Sequence, residues 1–264
     1  MQLCESRLLI DFAAMDLGID GRVALVTGAS KGLGLGIASA LAGEGARVAM
    51  SSRSQERIEA AAAEVSGARA FVHDNADLDD ADRLIGAVED ELGAVEILVV
   101  NTGGPPAGEP LSFSREQWET AYRRLVLGPM ALIERTVPAM RERGWGRIVN
   151  VSSNAVREPI PYLMLSNAHR SGTLAAFKTL ARHLAGDGIT LNTVLAGMIA
   201  TDRLIELAGG SRETVEENAR EQVPAGRLGR VEEFAAAAAF LCSESASYIT
   251  GSALAVDGGL LRSV

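Results

Sequence analysis

The sequence has few of the features that mark secreted, metal-binding or nucleic-acid-binding proteins. Its only cysteines are Cys4 and Cys242, too few for a disulfide framework and without the His/Cys spacing of a metal site. No basic run exceeds two residues and the net charge is −9, which argues against a nucleic-acid or anionic-membrane partner. The apolar stretch 8–15 is interrupted by Asp11 and resembles neither a signal peptide nor a membrane span. We therefore expect a protein of a reducing, cytoplasmic environment that holds no metal ion.

The sequence does contain enough apolar residues for one substantial core. The chain has 264 residues, of which 47% are hydrophobic and 22% charged, and no repeat or linker divides it. The first residues fit poorly with the rest of the chain, so we predict a mobile extension over 1–14 and a single domain over 15–264. Ordered packing of residues 8–12 would contradict the extension.

Short apolar runs alternate with stretches of helical periodicity from Arg22 onward. Seven runs have the length and β-branched content of strands, namely 22–27, 47–51, 69–72, 96–100, 147–151, 189–194 and 253–257. Three of the helix-like stretches between them end at a glycine, as helix C termini often do, at Gly45, Gly67 and Gly93. Continuous apolar strands that alternate with helices indicate right-handed crossovers in a parallel sheet. The predicted fold is α/β, a single-domain doubly wound (Rossmann) parallel sheet of about seven strands with helices on both faces.

A glycine-rich segment, TGASKGLG, follows the first predicted strand. Gly28, Gly32 and Gly34 lie at a strand-to-helix turn, where missing side chains permit a tight bend and close approach of a pyrophosphate to the helix N terminus. Three glycines alone also suit an ordinary tight βα turn. The flanking strand and helix favour the dinucleotide-binding interpretation.

Several ordered segments resemble the short-chain dehydrogenase/reductase family over nearly all of residues 20–259. They are TGASKGLG (27–34), LVVNTGG (98–104), GRIVNVSS (146–153), LNTVLAG (191–197) and ITGSALAVDGG (249–259). The resemblance implies a doubly wound fold, a bound NAD or NADP, and hydride transfer with a carbonyl or alcohol substrate. The sequence is similar to the 3-oxoacyl-carrier-protein reductase branch, which by itself says nothing about specificity.

The residues at the end of the second predicted strand bear on which cofactor binds. An acid there would bind the ribose 2′-hydroxyl, whereas an arginine accepts a 2′-phosphate. Position 52 is serine and Arg53 follows, while Lys31 could add a second positive charge. Both cations could also be ordinary solvated surface residues. Their placement favours NADP, with NAD as the other possibility.

The resemblance implies further cofactor contacts at several turns. Asp74 and Asn75 match residues near adenine, Asn101 and Gly103 match residues beside the adenosine ribose, and Ile199 and Thr201 match the segment that holds the nicotinamide and phosphates. Turn chemistry alone also accounts for Asp, Asn and Gly at such places. Within the glycine-rich segment, the predicted contacts are Gly28, Ser30, Lys31, Gly32, Leu33 and Gly34.

The catalytic positions implied by the family depart from its usual residues. Ser153 keeps the serine that binds the carbonyl, but the tyrosine position is Ser166, the lysine position is Arg170 and the asparagine position is Leu125. An aliphatic hydroxyl ionises far less readily than a phenol, and leucine holds no water chain. The proton path therefore differs at three positions.

Two neighbours of Ser166 could replace the missing acid. Tyr162 would share its helical face if the helix already includes residue 162, although Pro159 and Pro161 favour a later helix start, with the tyrosine packed at the helix entrance. His169 could instead face a subunit contact. The candidate catalytic residues are thus Ser153, Ser166, Arg170 and Tyr162.

The remaining segments bear on substrate and assembly. Residues 198–225 match the family's variable substrate lid, and Arg203 and Arg212 suggest a partly apolar substrate with a carbonyl or an anion, although the lid could simply pack on the core. The alanine-rich run 234–241 resembles family subunit contacts, or else is an ordinary buried helix. We expect a homotetramer or homodimer.

Three functional classes stay open from the residues alone. The first is an NADP-preferring oxidoreductase with a rebuilt proton path, which the nearly complete cofactor motifs favour. The second is a nucleotide-binding protein that has lost turnover and acts by assembly or sensing. The third is a non-redox enzyme on the same scaffold.

Overall fold

A computed structural model describes residues 16–263 of the chain. The predicted extension over 1–14, including residues 8–12, lies outside the described residues, as does Met15 at the start of the predicted domain. Among residues 16–263, no helix is both long enough and apolar enough to cross a bilayer.

Within the described residues, seven parallel strands form one sheet, as predicted. They are β1 (Val23–Val26), β2 (Arg47–Ser52), β3 (Arg69–Val72), β4 (Ile97–Val100), β5 (Gly146–Ser153), β6 (Ile189–Ala196) and β7 (Ala253–Val256). Their order across the sheet is β3-β2-β1-β4-β5-β6-β7. The chain returns from the β3 edge to pair β4 with β1, and this reversal opens a crevice at the carboxyl ends of β1 and β4.

The neighbouring strands β5 and β6 extend further than the sequence predicts. Ser152 pairs with Leu195, and Ser153 pairs with Ala196, so both strands continue to the rim of the crevice. The end of β5, Ser152 and Ser153, lacks the apolar pattern by which strands are recognised. Ser153 is consequently the last residue of a strand and is held by the sheet.

Helices cover both faces of the sheet, which confirms the predicted architecture. They are α1 (Gly32–Gly43), α2 (Gln55–Ala63), α3 (Asp80–Leu92), α4 (Arg115–Tyr122), α5 (Gly128–Arg143), α6 (Met164–Leu184), α7 (Asp202–Leu207), α8 (Arg212–Gln222) and α9 (Val231–Leu241). Apolar residues of α1, α2 and α9 form one core on the first face, and those of α3, α5 and α6 form a second core on the other. Gly45, Gly67 and Gly93 all have positive φ, as expected of glycines that end helices.

The alanine-rich run forms α9, and the buried side of this helix packs against α1 of the same chain. A Cβ atom at Gly36 of α1 would collide with the Val231 side chain, so the two helices lie unusually close. Ala235, Ala238 and Ala239 are buried at this contact. The small side chains therefore have an intrachain role, and their part in a subunit contact stays a prediction.

A cluster of charged and aromatic residues lies at the amino ends of the strands, the amino edge of the sheet, opposite the crevice. The guanidinium of Arg22 lies 4.0 Å from the ring centre of Trp145, and that of Arg147 lies 4.4 Å from it. The indole of Trp145 donates a hydrogen bond to Glu244 at 2.6 Å, and Arg147 donates one to the Ser243 carbonyl at 2.9 Å. This cluster joins β1, β5 and the turn after α9 far from the crevice.

Candidate dinucleotide and active site

The glycine turn after β1 has a geometry that larger residues could not adopt. Gly28 and Gly32 have φ values of 59° and 57°, in the left-handed region that favours glycine. A Cβ atom at Gly34 would lie 2.7 Å from Asn101 Nδ2 and would collide with the Gly28 carbonyl oxygen. Asn101 Nδ2 donates to that carbonyl at 2.9 Å, so the end of β4 fixes the turn.

The first turn of α1 is a suitable site for a pyrophosphate. Its N-cap, Lys31, makes no side-chain capping bond, and the first amides of a helix have no acceptor within the helix. A Cβ atom at Gly103 meets nothing within 4 Å, so space remains over the end of β4. The buried Asn75 Oδ1 also lacks a hydrogen-bond partner among residues 16–263. These residues therefore fit a dinucleotide.

The two cations predicted near a 2′-phosphate differ in their surroundings. Arg53 is exposed at the end of β2, and it forms no ion pair with another described residue. Lys31 Nζ lies 3.2 Å from Asp202 and 3.8 Å from Glu206, both on α7. The ammonium group of Lys31 is thus paired with carboxylates of the predicted lid, whereas the guanidinium of Arg53 is exposed and could pair with a phosphate.

The structure brings the other predicted cofactor residues to the same crevice. Asn75 Nδ2 donates to the Asn101 carbonyl at 3.4 Å, and Asp74 accepts a hydrogen bond from the Ala76 amide at 3.1 Å. Thr201 caps α7, and its methyl group lies 3.6 Å from a Cβ built on Gly32. The ends of β3 and β4 and the start of the lid therefore meet at the glycine turn.

Ile199 has a structural role beside this crevice. Its side chain is buried, and its backbone forms a parallel bridge with Gly229. The amide of Ala200 donates to the Gly229 carbonyl at 2.9 Å, which fixes the segment between β6 and α7. Any contact of Ile199 with a nicotinamide is made from this anchored position.

Ser153 and Ser166 lie on the elements that the family resemblance implies. The Ser153 hydroxyl donates to Asn154 Oδ1 at 3.2 Å and accepts from the Ala155 amide at the same distance. Ser166, in the first turn of α6, is 6% exposed, and its hydroxyl makes no hydrogen bond to another residue within 16–263. Within 16–263, no histidine or carboxylate is hydrogen-bonded to the Ser166 hydroxyl, and Asn154 is a contact of Ser153 that the sequence did not reveal.

Arg170 reaches from α6 to the carboxyl ends of two neighbouring strands. Its Nη1 donates to the Val151 carbonyl at 2.9 Å, and its Nη2 donates to the Thr102 carbonyl at 3.4 Å. Burial, together with the positive charge of Arg203, lowers the pKa of the Arg170 guanidinium to about 10. A cation therefore occupies the rim of the crevice near Ser153.

Leu125 lies in a π-helical turn, Arg123–Leu127, between α4 and α5. Its carbonyl lacks the usual α-helical donor because residue 129, four positions later, is proline. The hydroxyl of Thr173 on α6 fills this gap and lies 2.7 Å from the Leu125 oxygen. The Leu125 carbonyl is therefore hydrogen-bonded within the protein. The position also lacks the asparagine side chain that the family resemblance implies. Pro129 was the sequence signal that could have indicated this turn.

The two alternative acids occupy different environments. Tyr162 lies in a 3-10 turn, Pro161–Leu163, before α6 begins at Met164, and it is 48% exposed. It is therefore outside the helix that carries Ser166. His169 packs on its own chain, with its ring centre 5.3 Å from that of Trp118 and 5.9 Å from that of Tyr122. Burial lowers the pKa of His169, so neutral imidazole is favoured.

A cleft of about 490 Å³ borders this group of residues. It lies between the loop after β4 and helix α4, and its lining includes Pro105, Ala121, Arg124 and Leu125. Ser153, Ser166 and Arg170 do not line it. Of the four positions that the family resemblance implies, only Leu125 lines the cleft.

Comparison with known proteins identifies the family. The family described as enoyl-(acyl carrier protein) reductase matches residues 28–261. D-threitol dehydrogenase of Mycolicibacterium smegmatis is 33% identical to this chain over 96% of both sequences. The 3-oxoacyl-[acyl-carrier-protein] reductase FabG of Haemophilus influenzae is 32% identical over 93% of this chain and all of its own length.

A solved structure gives the same result. L-sorbose reductase from Gluconobacter frateurii, complexed with NADPH and L-sorbose, is 33% identical, with a TM-score of 0.87 over 95% of this chain and 100% of the reductase. Strand order, glycine turn and sequence matches therefore agree, and the chain belongs to the short-chain dehydrogenase/reductase family of oxidoreductases.

Proposed function

We propose that this protein is an NADP-dependent oxidoreductase that reduces a carbonyl group, or oxidises the corresponding alcohol, in a small molecule. The observation that carries the proposal is the glycine turn, in which Asn101 fixes Gly28 and leaves the first amides of α1 to bind a pyrophosphate. The NADPH in the structure of L-sorbose reductase supports this assignment. The likeness to 3-oxoacyl-carrier-protein reductases makes a 3-oxoacyl substrate one class to test.

Different residues of the crevice bind different parts of NADP. The exposed guanidinium of Arg53 binds the 2′-phosphate, because arginine matches phosphate with two parallel hydrogen bonds. Asn75 and Asn101 lie on the adenosine side, while Thr201 lies beside the glycine turn on the nicotinamide side. When bound, NADPH supplies the hydride for carbonyl reduction.

Ser153 and Arg170 together replace the usual proton-donor arrangement. The Ser153 hydroxyl turns from Asn154 to donate a hydrogen bond to the carbonyl oxygen, and the positive charge of Arg170 stabilises that oxygen as it becomes an alkoxide. The alkoxide then takes its proton from water. The loss of a general acid lowers the rate by about 10² to 10⁴-fold. Positioning of the two reactants still lowers the activation barrier by about 7 to 11 kcal/mol, so catalysis continues at a reduced rate.

Subunit association is a second part of the proposal. β7 is an edge strand whose outer side is unpaired among the described residues, and Leu254 on it is exposed. Tyr248, just before this strand, is also fully exposed. We expect a homodimer or homotetramer that covers this edge, and light scattering that gives a monomer at micromolar concentration would contradict it.

Arg53→Asp tests the cofactor assignment directly. We expect NADPH affinity to fall by about 10- to 100-fold, because a charge-assisted pair is lost and a repulsive one is gained. NADH affinity should change by less than about threefold, since NADH carries no 2′-phosphate. Binding is measured by the fluorescence of the reduced nicotinamide, and Arg57→Asp on α2, another exposed arginine nearby, is the matched control.

Turnover is measured in the same preparation by the loss of NADPH absorbance with a panel of ketoses, alkyl ketones and 3-oxoacyl thioesters. Oxidation of NADPH with at least one carbonyl compound is the expected result. Equal weakening of NADPH and NADH by Arg53→Asp contradicts the 2′-phosphate contact, and binding without any turnover contradicts the oxidoreductase assignment.

A further inference from the structure

Two arginines hold the same short turn from its two ends. The turn, residues 102–105, follows β4 at the rim of the crevice. Arg170 donates to the Thr102 carbonyl at 3.4 Å, and Arg203 of α7 donates to the Pro105 carbonyl at 2.7 Å. The guanidinium of Arg203 also lies over Gly104, 3.3 Å from the position a Cβ would take there. The two positive charges are close enough that Arg203 lowers the pKa of Arg170.

Little negative charge balances this pair. Arg170 forms no ion pair with another residue of the described range 16–263. Arg203 approaches Glu206 only at 3.8 Å, and Lys31 lies at the same distance from that carboxylate. Partly buried arginines normally have a carboxylate partner, and this chain carries an excess of nine negative charges from which to supply one. The charge of Arg170 thus has no carboxylate partner within 16–263, and Arg203 shares its distant carboxylate with Lys31, so the two arginines together fit an anionic ligand.

We infer that the substrate is an oxo acid, whose free carboxylate is bound by Arg203 while its carbonyl oxygen lies toward Ser153 and Arg170. This inference rests on the proposed carbonyl reductase function. A cofactor phosphate is the other anion available near the crevice. The substrate is favoured because Arg203 and Arg170 both bond the turn after β4, at Pro105 and Thr102, whereas the pyrophosphate site follows β1.

The neighbouring cleft fits the rest of such a substrate. Pro105, which accepts the hydrogen bond from Arg203, also lines the cleft of about 490 Å³ beside α4. Ala121, Leu125 and the two prolines form the apolar part of its lining, beside polar residues that include Glu116 and Arg124. The carboxylate held at Arg203 therefore places a medium-sized apolar group within reach of an apolar surface.

Arg203→Gln, compared with wild type on matched acids and esters, tests the inference. The probes are pyruvate, 2-oxobutanoate and 2-oxo-4-phenylbutanoate, each with its ethyl ester, and NADPH oxidation gives kcat and KM for each. For the best acid, we expect kcat/KM to fall by about 10- to 100-fold through a higher KM, because a charge-assisted hydrogen bond is lost. For its ester, the change should stay below about threefold.

Four further tests separate the possible causes. Arg203→Lys keeps the charge and should recover part of the affinity for the acid, whereas Arg220→Gln on α8, an exposed arginine in an ion pair with Glu216, should behave as wild type. The NADPH affinity of each variant reports any contact with a cofactor phosphate. Calorimetric binding of the acids to protein saturated with NADP⁺ needs no turnover, so it tests the carboxylate site even if the proposed reduction fails.

Acid binding that Arg203→Gln weakens, with ester and NADPH binding unchanged, supports the inference. An equal loss for acid and ester means that Arg203 only holds the lid to the turn, and it overturns the inference. A selective loss of NADPH affinity assigns Arg203 to a phosphate and also overturns it. Failure of every acid in the panel to bind has the same consequence.

Discussion

The hydroxyl of Thr173 bonds a carbonyl that has no i+4 amide in its own helix, and Thr173→Val replaces only that hydroxyl. Pro129 offers no amide to the Leu125 oxygen, and the Thr173 hydroxyl lies 2.7 Å from it. Valine has nearly the shape of threonine and the same branching at Cβ, so packing and χ1 preference change little. The hydroxyl also lies 2.9 Å from the His169 carbonyl of its own helix, so the bond across α6 and the π-helical turn is isolated by comparison with a variant that loses only such an intrahelical bond.

The expected cost follows from burial. Thr173 is 3% exposed, so water cannot replace the lost donor without opening the contact between the helices. A buried carbonyl left without this partner destabilises the fold by about 1–2 kcal/mol. For a chain of this size, that corresponds to a fall in Tm of about 2 to 8 °C.

Urea unfolding without cofactor, followed by circular dichroism, measures the difference in the free energy of unfolding. Thr179→Val is the matched control, because Thr179 lies on the same helix and is exposed, and its hydroxyl contacts only the Ala175 carbonyl of its own helix at 3.2 Å. We expect the midpoint to shift for Thr173→Val alone, with an unchanged slope. If both variants unfold alike, the hydroxyl at Thr173 does not stabilise the π-helical turn.

Three other substitutions or conditions test the site. Gly34→Ala should weaken NADPH binding by more than about tenfold, because its methyl group collides with the Gly28 carbonyl, whereas Gly43→Ala in the same helix has open space and should bind normally. Tyr162→Phe should keep kcat within about twofold, because the tyrosine lies on an exposed turn outside α6; a large loss of kcat with unchanged NADPH affinity would make Tyr162 the acid. The pKa of Arg170 is about 10, so kcat/KM should fall as pH rises through that value and the positive charge is lost. A flat profile across that range contradicts a role for this charge.

Local sequence patterns were sufficient to predict most of the fold. The strand runs and the helix-ending glycines depend on residues a few positions apart, and all seven strands lie where the pattern indicates. The glycine turn is equally local, since Gly28, Gly32 and Gly34 fall within one βα connection. The spacing of these glycines therefore predicted the turn, and the close approach of Asn101 is the physical reason that the turn needs glycine.

The remaining features of the site depend on contacts between distant residues. Thr173 meets a carbonyl 48 positions away, and Lys31 pairs with a carboxylate 171 positions away, so no local pattern reveals either contact. The sequence suggested a cofactor role for Lys31, which stays a prediction, but it gave no sign of the ion pair with Asp202. The sequence identified Arg203 only as a residue of the predicted lid. Its contact with the turn after β4 depends on the fold.

The two tryptophans of the chain lie at opposite edges of the sheet, and this makes them separate optical reporters. Trp145 lies between two guanidinium groups at the amino edge, whereas Trp118 lies against His169 beside the crevice. Changes in emission on ligand binding should therefore arise from Trp118, and Trp118→Phe leaves a chain whose fluorescence follows only the closed amino edge.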